Sequence, residues 1–231
     1  MKTVSLLAAL AICGAASTVT VSAQSQGRDN EFPYDTPFWG LRASFDLSCP
    51  GKWKVDNTKL DAFGTGPGVN VGMVYNRPLG GGFYVEPGIG VFYDTMDADY
   101  DTNREAPLPG AETIDAWVGT VGLHIPLMAG YRVDLAPASS LFFSTGPQLE
   151  IGFTAHLTDD MPGGSSLAGE LYDTLLRRFD CQWKVGVGYA FNYNYYVGVE
   201  AAFGLVNLAK HSNNSISFHR SLVSFTVGYN F

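Results

Sequence analysis

The sequence is poor in charge, in cysteine and, beyond its first residues, in long apolar runs. Only 16% of its 231 residues are charged and three are cysteines, which excludes a coiled coil, a disordered tail and a disulfide-based scaffold. After residue 23 no stretch reaches the roughly 18 consecutive apolar residues of a membrane-spanning helix. Acidic residues outnumber basic ones by 22 to 14, so we expect no nucleic-acid partner.

The amino terminus has the features of a secretory signal peptide. Lys2 supplies a positive charge, residues 6–16 form a short apolar run, and small residues precede Gln24. The apolar run is too short to span a membrane as a helix. We predict a signal peptide over 1–23, cleaved after Ala23 and directing export of the mature chain.

Glycine and aromatic residues are abundant, and they follow a period of two. In residues 39–47, apolar side chains occupy the odd positions, and mostly small or polar ones occupy the even positions. Such alternation is typical of a β-strand with one apolar face. It recurs in seven later segments, so the sequence predicts eight strands: 39–47, 68–76, 83–93, 117–132, 143–156, 179–191, 195–205 and 223–231.

The connections between these segments alternate in length. A soluble β-sandwich also shows period-two strands, so the lengths of the connections are needed to distinguish it from a transmembrane barrel. A transmembrane barrel with both termini on its inner side has long outer loops and short inner turns. The mostly long, polar connections are 49–66, 96–114, 158–177 and 208–215, and the short ones are 77–82, 133–140 and 192–194.

Aromatic residues of the apolar face lie beside the short turns, as expected for a girdle at a membrane–water interface. This predicted inner girdle contains Trp39, Tyr75, Phe83, Tyr131, Phe143, Phe191, Tyr195 and Phe231, and Tyr93, Trp117, Phe179 and Trp183 supply an outer one. We therefore predict an all-β fold, an eight-stranded antiparallel up-and-down transmembrane β-barrel over 38–231. An N-terminal segment over 24–37 precedes it.

Several segments resemble a known family. These are 83–88, 125–127, 179–189 and 223–231, which are similar to the small PorT-like outer-membrane β-barrel proteins of the Bacteroidetes. The resemblance covers residues 38–231 and departs at His124, where an acidic residue is expected. In architecture the chain is also similar to OmpX and to the OmpA transmembrane domain. The resemblance implies a bacterial outer-membrane location.

Charged residues of both signs fall on the face opposite the apolar one. Ionised groups at bilayer depth must be paired or hydrated. Because eight strands enclose a space that side chains can fill, we predict an internal salt-bridge network, with an ion-selective pore as the alternative. Its members are Arg42, Asp46, Glu86, Arg132, Glu150, Lys184, Glu200 and Arg220.

The carboxyl-terminal strand ends with alternating apolar and aromatic residues. Its last two are Tyr229 and Phe231, and the pattern resembles the signal that outer-membrane assembly machinery reads. The alternative is an ordinary final strand of a soluble barrel. We predict that Tyr229 and Phe231 form an insertion signal, with the assembly machinery as a partner during biogenesis and outer-membrane lipid afterwards.

One predicted outer loop is acidic and is a candidate calcium site. Asp97, Asp99, Asp101, Asn103 and Glu105 alternate there, and hard oxygen ligands at this spacing can hold Ca²⁺. However, Thr102 and Leu108 stand where an EF-hand requires glycine and a bidentate glutamate. We predict a solvated loop and no metal site.

An enzyme that acts on lipid A is an alternative function for this chain. His211-Ser212-Asn213 is similar to a stretch of lipid A deacylases, which are also outer-membrane barrels. A base and a nucleophile on one strand need i, i+2 spacing to share a face, and His211 and Ser212 are adjacent. We predict no catalytic residue and no cofactor.

The three cysteines lie in the predicted signal peptide and near the ends of two of the predicted strands. Cys13 lies in a stretch that loosely resembles a lipidation motif, although Ile12 replaces the usual small residue. Cys49 and Cys181 fall near the outer ends of predicted strands one and six. These strands are three positions apart in the ring, beyond disulfide reach, so we predict free thiols.

The sequence therefore predicts a non-enzymatic integral outer-membrane barrel with a structural or binding role through its outer loops. An outer-membrane enzyme acting on lipid A and a small porin remain the alternatives. Loops vary freely on one scaffold, so the extracellular ligand is left open.

Overall fold

β-Strands make up almost all of the described chain. The structure, a computed structural model, describes residues 33–55, 58–60, 63–99, 115–136, 138–159, 171–174, 176–210 and 216–231. The strands in these residues are β1 (Phe38–Pro50), β2 (Trp53–Val55), β3 (Thr58–Leu60), β4 (Gly66–Gly80), β5 (Phe83–Asp99), β6 (Asp115–Ala136), β7 (Ser139–Asp159), β8 (Phe179–Phe191), β9 (Tyr195–Gly204), β10 (Ile216–Ser217) and β11 (Arg220–Asn230). A 3-10 turn (Pro33–Asp35) and one short helix, α1 (Leu171–Thr174), complete the described elements.

Eight of the strands close into an antiparallel barrel. Their order around the ring is β1-β11-β9-β8-β7-β6-β5-β4, so each barrel strand pairs with its neighbours in sequence and β11 closes on β1. The predicted eight-stranded up-and-down barrel is confirmed. Because a closed barrel has no open strand edge, it is one of the two folds that can satisfy their backbone within a membrane.

The apolar side chains point outward. In β8, Val185 and Val187 are exposed while Lys184 on the same strand is buried. Val227 in β11 is 59% exposed, whereas its neighbour Thr226 is 4% exposed. An apolar exterior around a polar interior is the reverse of a soluble barrel, and it matches a hydrocarbon surround.

A bulge in β7 reverses this alternation near the outer end. Val121 of β6 pairs with Thr154, but Gly122 pairs with Gly152, so Phe153 is an extra residue. Beyond it Ala155 is fully buried and His156 is exposed. The sequence pattern places His156 on the interior face, and that assignment is wrong because the bulge shifts the period by one residue.

The outer connections contain structure that the period-two pattern did not predict. β2 and β3 lie within the predicted loop 49–66, and with β10 they form a separate three-stranded sheet. The amide of Gly51 donates to the carbonyl of His219 over 2.7 Å, which ties the end of β1 to the segment before β11.

None of the helices in the described ranges has the length and apolar character needed to cross a membrane.

Candidate functional site: the barrel interior

The eight charged residues singled out from the sequence lie on the inward face of the barrel strands. Six of them are buried, and Glu86 and Glu200 are half-buried. The strands bring six of them into two groups at different depths, and Asp46 and Arg132 lie apart from both groups.

The middle of the interior holds two ion pairs. Lys184 Nζ lies 2.7 Å from Glu200 Oε2. Arg42 lies 4.0 Å from Glu86, donates to Asn230 Oδ1 over 2.8 Å, and has its guanidinium carbon 4.2 Å from the ring centre of Tyr196. A hydrogen bond and a cation–π contact therefore hold Arg42 more closely than its ion pair does.

A second group lies nearer the outer end. Arg220 Nη1 is 3.2 Å from Asp94 Oδ2, and Arg220 Nη2 donates to Glu150 Oε2. The guanidinium also lies 5.6 Å from the ring centre of Phe92. One buried arginine thus bridges β5, β7 and β11 across the lumen, and removing it would leave two buried carboxylates without their cation.

Asp46 and Arg132 stand apart from these two groups. Asp46 Oδ2 accepts a hydrogen bond from Asn70 over 2.6 Å, and no cation pairs with it among the described residues. Arg132 lies at the inner mouth, where it pairs with Asp35 at 2.6 Å and Asp134 at 2.9 Å. Seven of the eight residues therefore take part in ion pairs, and Asp46 is held by Asn70 instead.

The segment before β1 closes the inner mouth. Tyr34 is 2% exposed, and its hydroxyl donates to the carbonyl of Tyr193 over 2.6 Å. Arg132 donates to the carbonyl of Tyr34 over 2.5 Å. The Tyr34 ring packs edge-on against Phe38 and Phe142, each at 5.5 Å between ring centres. Burial raises the pKa of the Tyr34 hydroxyl, which keeps it a hydrogen-bond donor.

The turn that receives Tyr34 is itself constrained. Asn192 and Tyr193 both have positive φ, at 49° and 65°, and they are the first two residues of the three-residue turn that joins β8 and β9. This backbone conformation presents the Tyr193 carbonyl to the Tyr34 hydroxyl.

An apolar cap covers the outer mouth. It contains Met96, Val118, Ala155, Leu171, Tyr172, Leu176, Leu208, Ala209 and Phe218, and Phe63 packs against it. Tyr172 of α1 reaches down to contact Gly152, where a larger residue would clash. Lys210 Nζ donates to the carbonyl of Tyr172 over 3.1 Å, which ties α1 to the segment after β9.

Two small cavities lie among the charged side chains of the interior. One of about 40 Å³ lies beside Arg42, Glu86, His124 and Lys184, and one of about 20 Å³ lies beside Arg220. A water molecule needs roughly 10–15 Å³ of such space, so each of these two has room for a few waters at most. A larger space of about 740 Å³ is lined by residues of both faces of the wall, among them the inward-facing Tyr84, Gly186 and Glu200 and the lipid-facing Phe83 and Val187.

The two residues of the expected insertion signal face outward at the inner rim. Tyr229 packs edge-on against Tyr195 at 5.7 Å between ring centres, and Phe231 is 37% exposed. The amide of Phe231 donates to the carbonyl of Trp39 over 2.9 Å. The end of the chain is thus hydrogen-bonded to the start of the barrel.

The remaining candidate residues give no assembled site. His211, Ser212 and Asn213 lie outside the described residues, as do Asp101, Asn103 and Glu105 of the acidic loop. Within the described ranges no three histidine, cysteine or acidic side chains are grouped to hold a metal ion. Cys49 and Cys181 are unbridged in the structure.

Several interior residues escaped the sequence analysis. Asp94 falls one residue past the predicted end of its strand, yet it continues the inward positions of β5 and reaches Arg220. Asn70, Gln148, Gln182 and Asn230 lie on the interior face where the alternation places them, and they add uncharged polar groups to the charged ones. Continuing the alternation past Tyr93 would have found Asp94.

Three solved outer-membrane proteins are similar to this chain. One is the crystal structure of Ail, the attachment invasion locus protein of Yersinia pestis, in complex with the heparin analogue sucrose octasulfate. Its sequence is 14% identical to this one, the TM-score is 0.40, and the match covers 85% of this chain and 99% of that one. The outer membrane protein OprG of Pseudomonas aeruginosa is 10% identical, with a TM-score of 0.45, over 87% and 99%. Neisserial surface protein A is 14% identical, with a TM-score of 0.39, over 84% and 97%. No curated protein sequence matches significantly.

A family model gives the assignment. The model of the outer membrane protein beta-barrel domain matches residues 7–231, which include every strand of the closed barrel. This chain therefore belongs to the outer membrane protein β-barrel family.

Proposed function

We propose that this protein is a non-enzymatic outer-membrane barrel with a structural or binding role carried by its outer loops. The observation that supports this most directly is that both mouths are covered. Tyr34 closes the inner mouth, and the apolar cap covers the outer one. A barrel without a passage offers its exterior, and above all its outer segments, as the working surface.

The organisation of these outer segments supports a binding role. β2, β3 and β10 form a sheet outside the barrel, and the Gly51–His219 hydrogen bond anchors it at β1. Ordered segments cost less entropy to bind with than free loops do. We propose this three-stranded sheet, with the cap beside it, as the surface that meets an extracellular partner.

Biogenesis forms part of the same proposal. The signal peptide over 1–23 is cleaved after Ala23, the assembly machinery reads Tyr229 and Phe231, and the finished barrel lies in outer-membrane lipid. We also propose the finer relationship to PorT-like proteins on the strength of segments such as 83–88 and 223–231.

The proposal is tested by separating loop variants from interior variants. In one variant, residues 53–60 are replaced by a two-residue Asn-Gly turn; in the control, Lys184→Met changes the interior. Both are embedded in lipid nanodiscs and applied to arrays of polysaccharides and extracellular proteins. A binding role predicts that a signal seen with the parent protein weakens at least about tenfold in the loop variant only.

The two alternatives have their own readouts. A small porin would show steady conductance steps in planar bilayers, and the covered mouths predict none. A lipid A deacylase would release acyl chains from purified lipid A, and both His211→Ala and Ser212→Ala would abolish the release. Either positive result would contradict the proposal.

A further inference from the structure

Three neighbouring strands of the barrel wall each contain a proline at a similar depth. Pro87 lies in β5, Pro126 in β6 and Pro147 in β7. Proline has no backbone N–H, so it removes a ladder hydrogen bond wherever it faces a neighbouring strand, and it is normally confined to sheet edges. A closed barrel has no edges, so each of these prolines interrupts the wall.

The strand pairing shows where the interruptions fall. Each of three consecutive strand pairs skips two residue pairs without any change of register. Between β4 and β5 the pairing stops at Val74↔Gly88 and resumes at Arg77↔Val85. Between β5 and β6 it stops at Pro87↔Leu127 and resumes at Gly90↔His124. Between β6 and β7 it stops at Pro126↔Gln148 and resumes at Ala129↔Thr145.

All three missing donors face the same way around the ring. Pro87 stands opposite Tyr75, Pro126 opposite Gly88, and Pro147 opposite Leu127, each on the strand that comes before it. Each pair therefore loses the bond from its proline nitrogen and keeps at most the bond donated to the proline carbonyl. We call the diagonal line formed by these three pairs the proline seam.

The seam lies next to the polar interior. The cavity of about 40 Å³ is lined on the inside by Arg42, Glu86, His124 and Lys184, and it also reaches Pro126 at the seam. Its lining includes Met73 and Ile89, whose side chains are exposed on the lipid-facing surface. The cavity thus lies against the inner side of the wall at Pro126.

The physical setting explains what the cavity does for the seam. A carbonyl without a donor costs several kcal/mol in hydrocarbon, and irregular backbone at membrane depth is tolerated where it lines a hydrated cavity. The carbonyls of Tyr75, Gly88 and Leu127 each lose a ladder donor, and Pro126, which faces Gly88, lines the polar cavity. The next strand pair has no such interruption, because β7 and β8 pair continuously from Ser139↔Phe191 to Ile151↔Phe179.

We propose that the barrel opens sideways along the proline seam, between β4 and β7. The opening is local: the three seam pairs separate while the ladders above and below them stay paired.

Amide hydrogen exchange on the intact protein in lipid nanodiscs tests the proposal. The amides of Tyr75, Gly88 and Leu127 donate the single bond that each seam pair retains. We expect them to exchange at least about tenfold faster than the amides of Gly186 and Val187 in the continuous β7–β8 ladder, because about one hydrogen bond closes each seam pair. Equal protection at the two places would overturn the proposal.

Restoring a donor should close the seam. Pro87→Val, whose side chain faces lipid, returns the missing N–H opposite Tyr75 and should slow exchange there about tenfold. Pro78→Val is the matched control, because Pro78 pairs with Tyr84 beside the inner turn and lies outside the seam. Combining Pro87→Val with Pro126→Val and Pro147→Val should slow exchange at all three positions. If Pro87→Val leaves the Tyr75 amide unchanged, or Pro78→Val slows it equally, the proposal is wrong.

Discussion

Trp39 and Phe231 exchange two backbone hydrogen bonds. The amide of Phe231 donates to Trp39 over 2.9 Å, and the amide of Trp39 donates to Phe231 over 3.2 Å. These bonds join the last residue of the chain to the first barrel strand at the inner rim. Phe231 therefore contributes its backbone to barrel closure as well as an aromatic ring to the girdle.

Deleting Phe231 should act on both stability and delivery. Two hydrogen bonds at about 0.5–1.5 kcal/mol each and partial burial of one ring add up to a loss of about 2–5 kcal/mol. We expect purified protein lacking Phe231 to fold in detergent, but to accumulate less in the outer membrane. Urea titration and membrane fractionation measure the two effects.

Phe231→Ala separates the two contributions, because it keeps the backbone bonds and removes only the ring. Its stability loss should be the smaller of the two, at about 1–3 kcal/mol. Phe231→Tyr and Phe231→Trp should assemble almost normally, since an aromatic side chain remains at the end. Normal cellular insertion of the deletion variant would remove the argument for an insertion signal at Tyr229 and Phe231.

A charge on the lipid face should be costly. Val187 is half exposed toward lipid at mid-strand, so Val187→Arg should destabilise the inserted barrel by about 2–4 kcal/mol. Val187→Leu is the control and should change stability little. Folding titrations in lipid vesicles provide the measurement, and equal stability of the two variants would mean that β8 faces the other way.

Removing the buried arginine should be more damaging than neutralising the whole cluster. Arg220→Met leaves Asp94 and Glu150 without their cation, and we expect a loss of about 3–5 kcal/mol. Adding Asp94→Asn and Glu150→Gln removes the uncompensated charges and should recover most of that loss. The same vesicle titrations compare the variants, and a triple variant no more stable than Arg220→Met would contradict the pairing.

Tyr34, which closes the inner mouth, should make the free energy of unfolding fall at high pH. Burial raises the pKa of Tyr34 above its ordinary 10.0, so above that pH the unfolded chain releases this proton while the folded barrel retains it. The free energy of unfolding must then decrease as the pH rises beyond about 10. Tyr34→Phe should show a shallower decrease, whereas Tyr193→Phe, at an exposed ring, should follow the parent protein.

The sequence predicted the inside and outside of the barrel because side-chain alternation is a property of each strand by itself. β8 has its predicted bounds, Phe179–Phe191, because both neighbouring segments break the alternation. The pattern failed at Phe153, since a bulge adds a residue without a compositional signal that distinguishes it from its neighbours.

Contacts between distant residues were beyond the reach of the pattern. The segment 24–37 has no periodicity, yet Tyr34 closes the inner mouth through Arg132 and Tyr193, which lie far away in sequence. Gly188 gives a similar lesson. Its inward parity suggests that a small polar residue would be tolerated, but the Tyr196 ring occupies the space that any added Cβ needs.

The barrel strands have very different lengths, and the outer rim is uneven as a result. β6 and β7 have 22 and 21 residues, whereas β9 and β11 have 10 and 11, close to the 9–11 that cross a bilayer. β7 continues from Ile151 to Asp159 beyond its pairing with β8, which at about 3.3 Å per residue is about 25 Å of additional strand. The outward-facing surface therefore slopes, with a tall β-hairpin wall on one side. A large ligand has freer approach from the low β9–β11 side than over that wall.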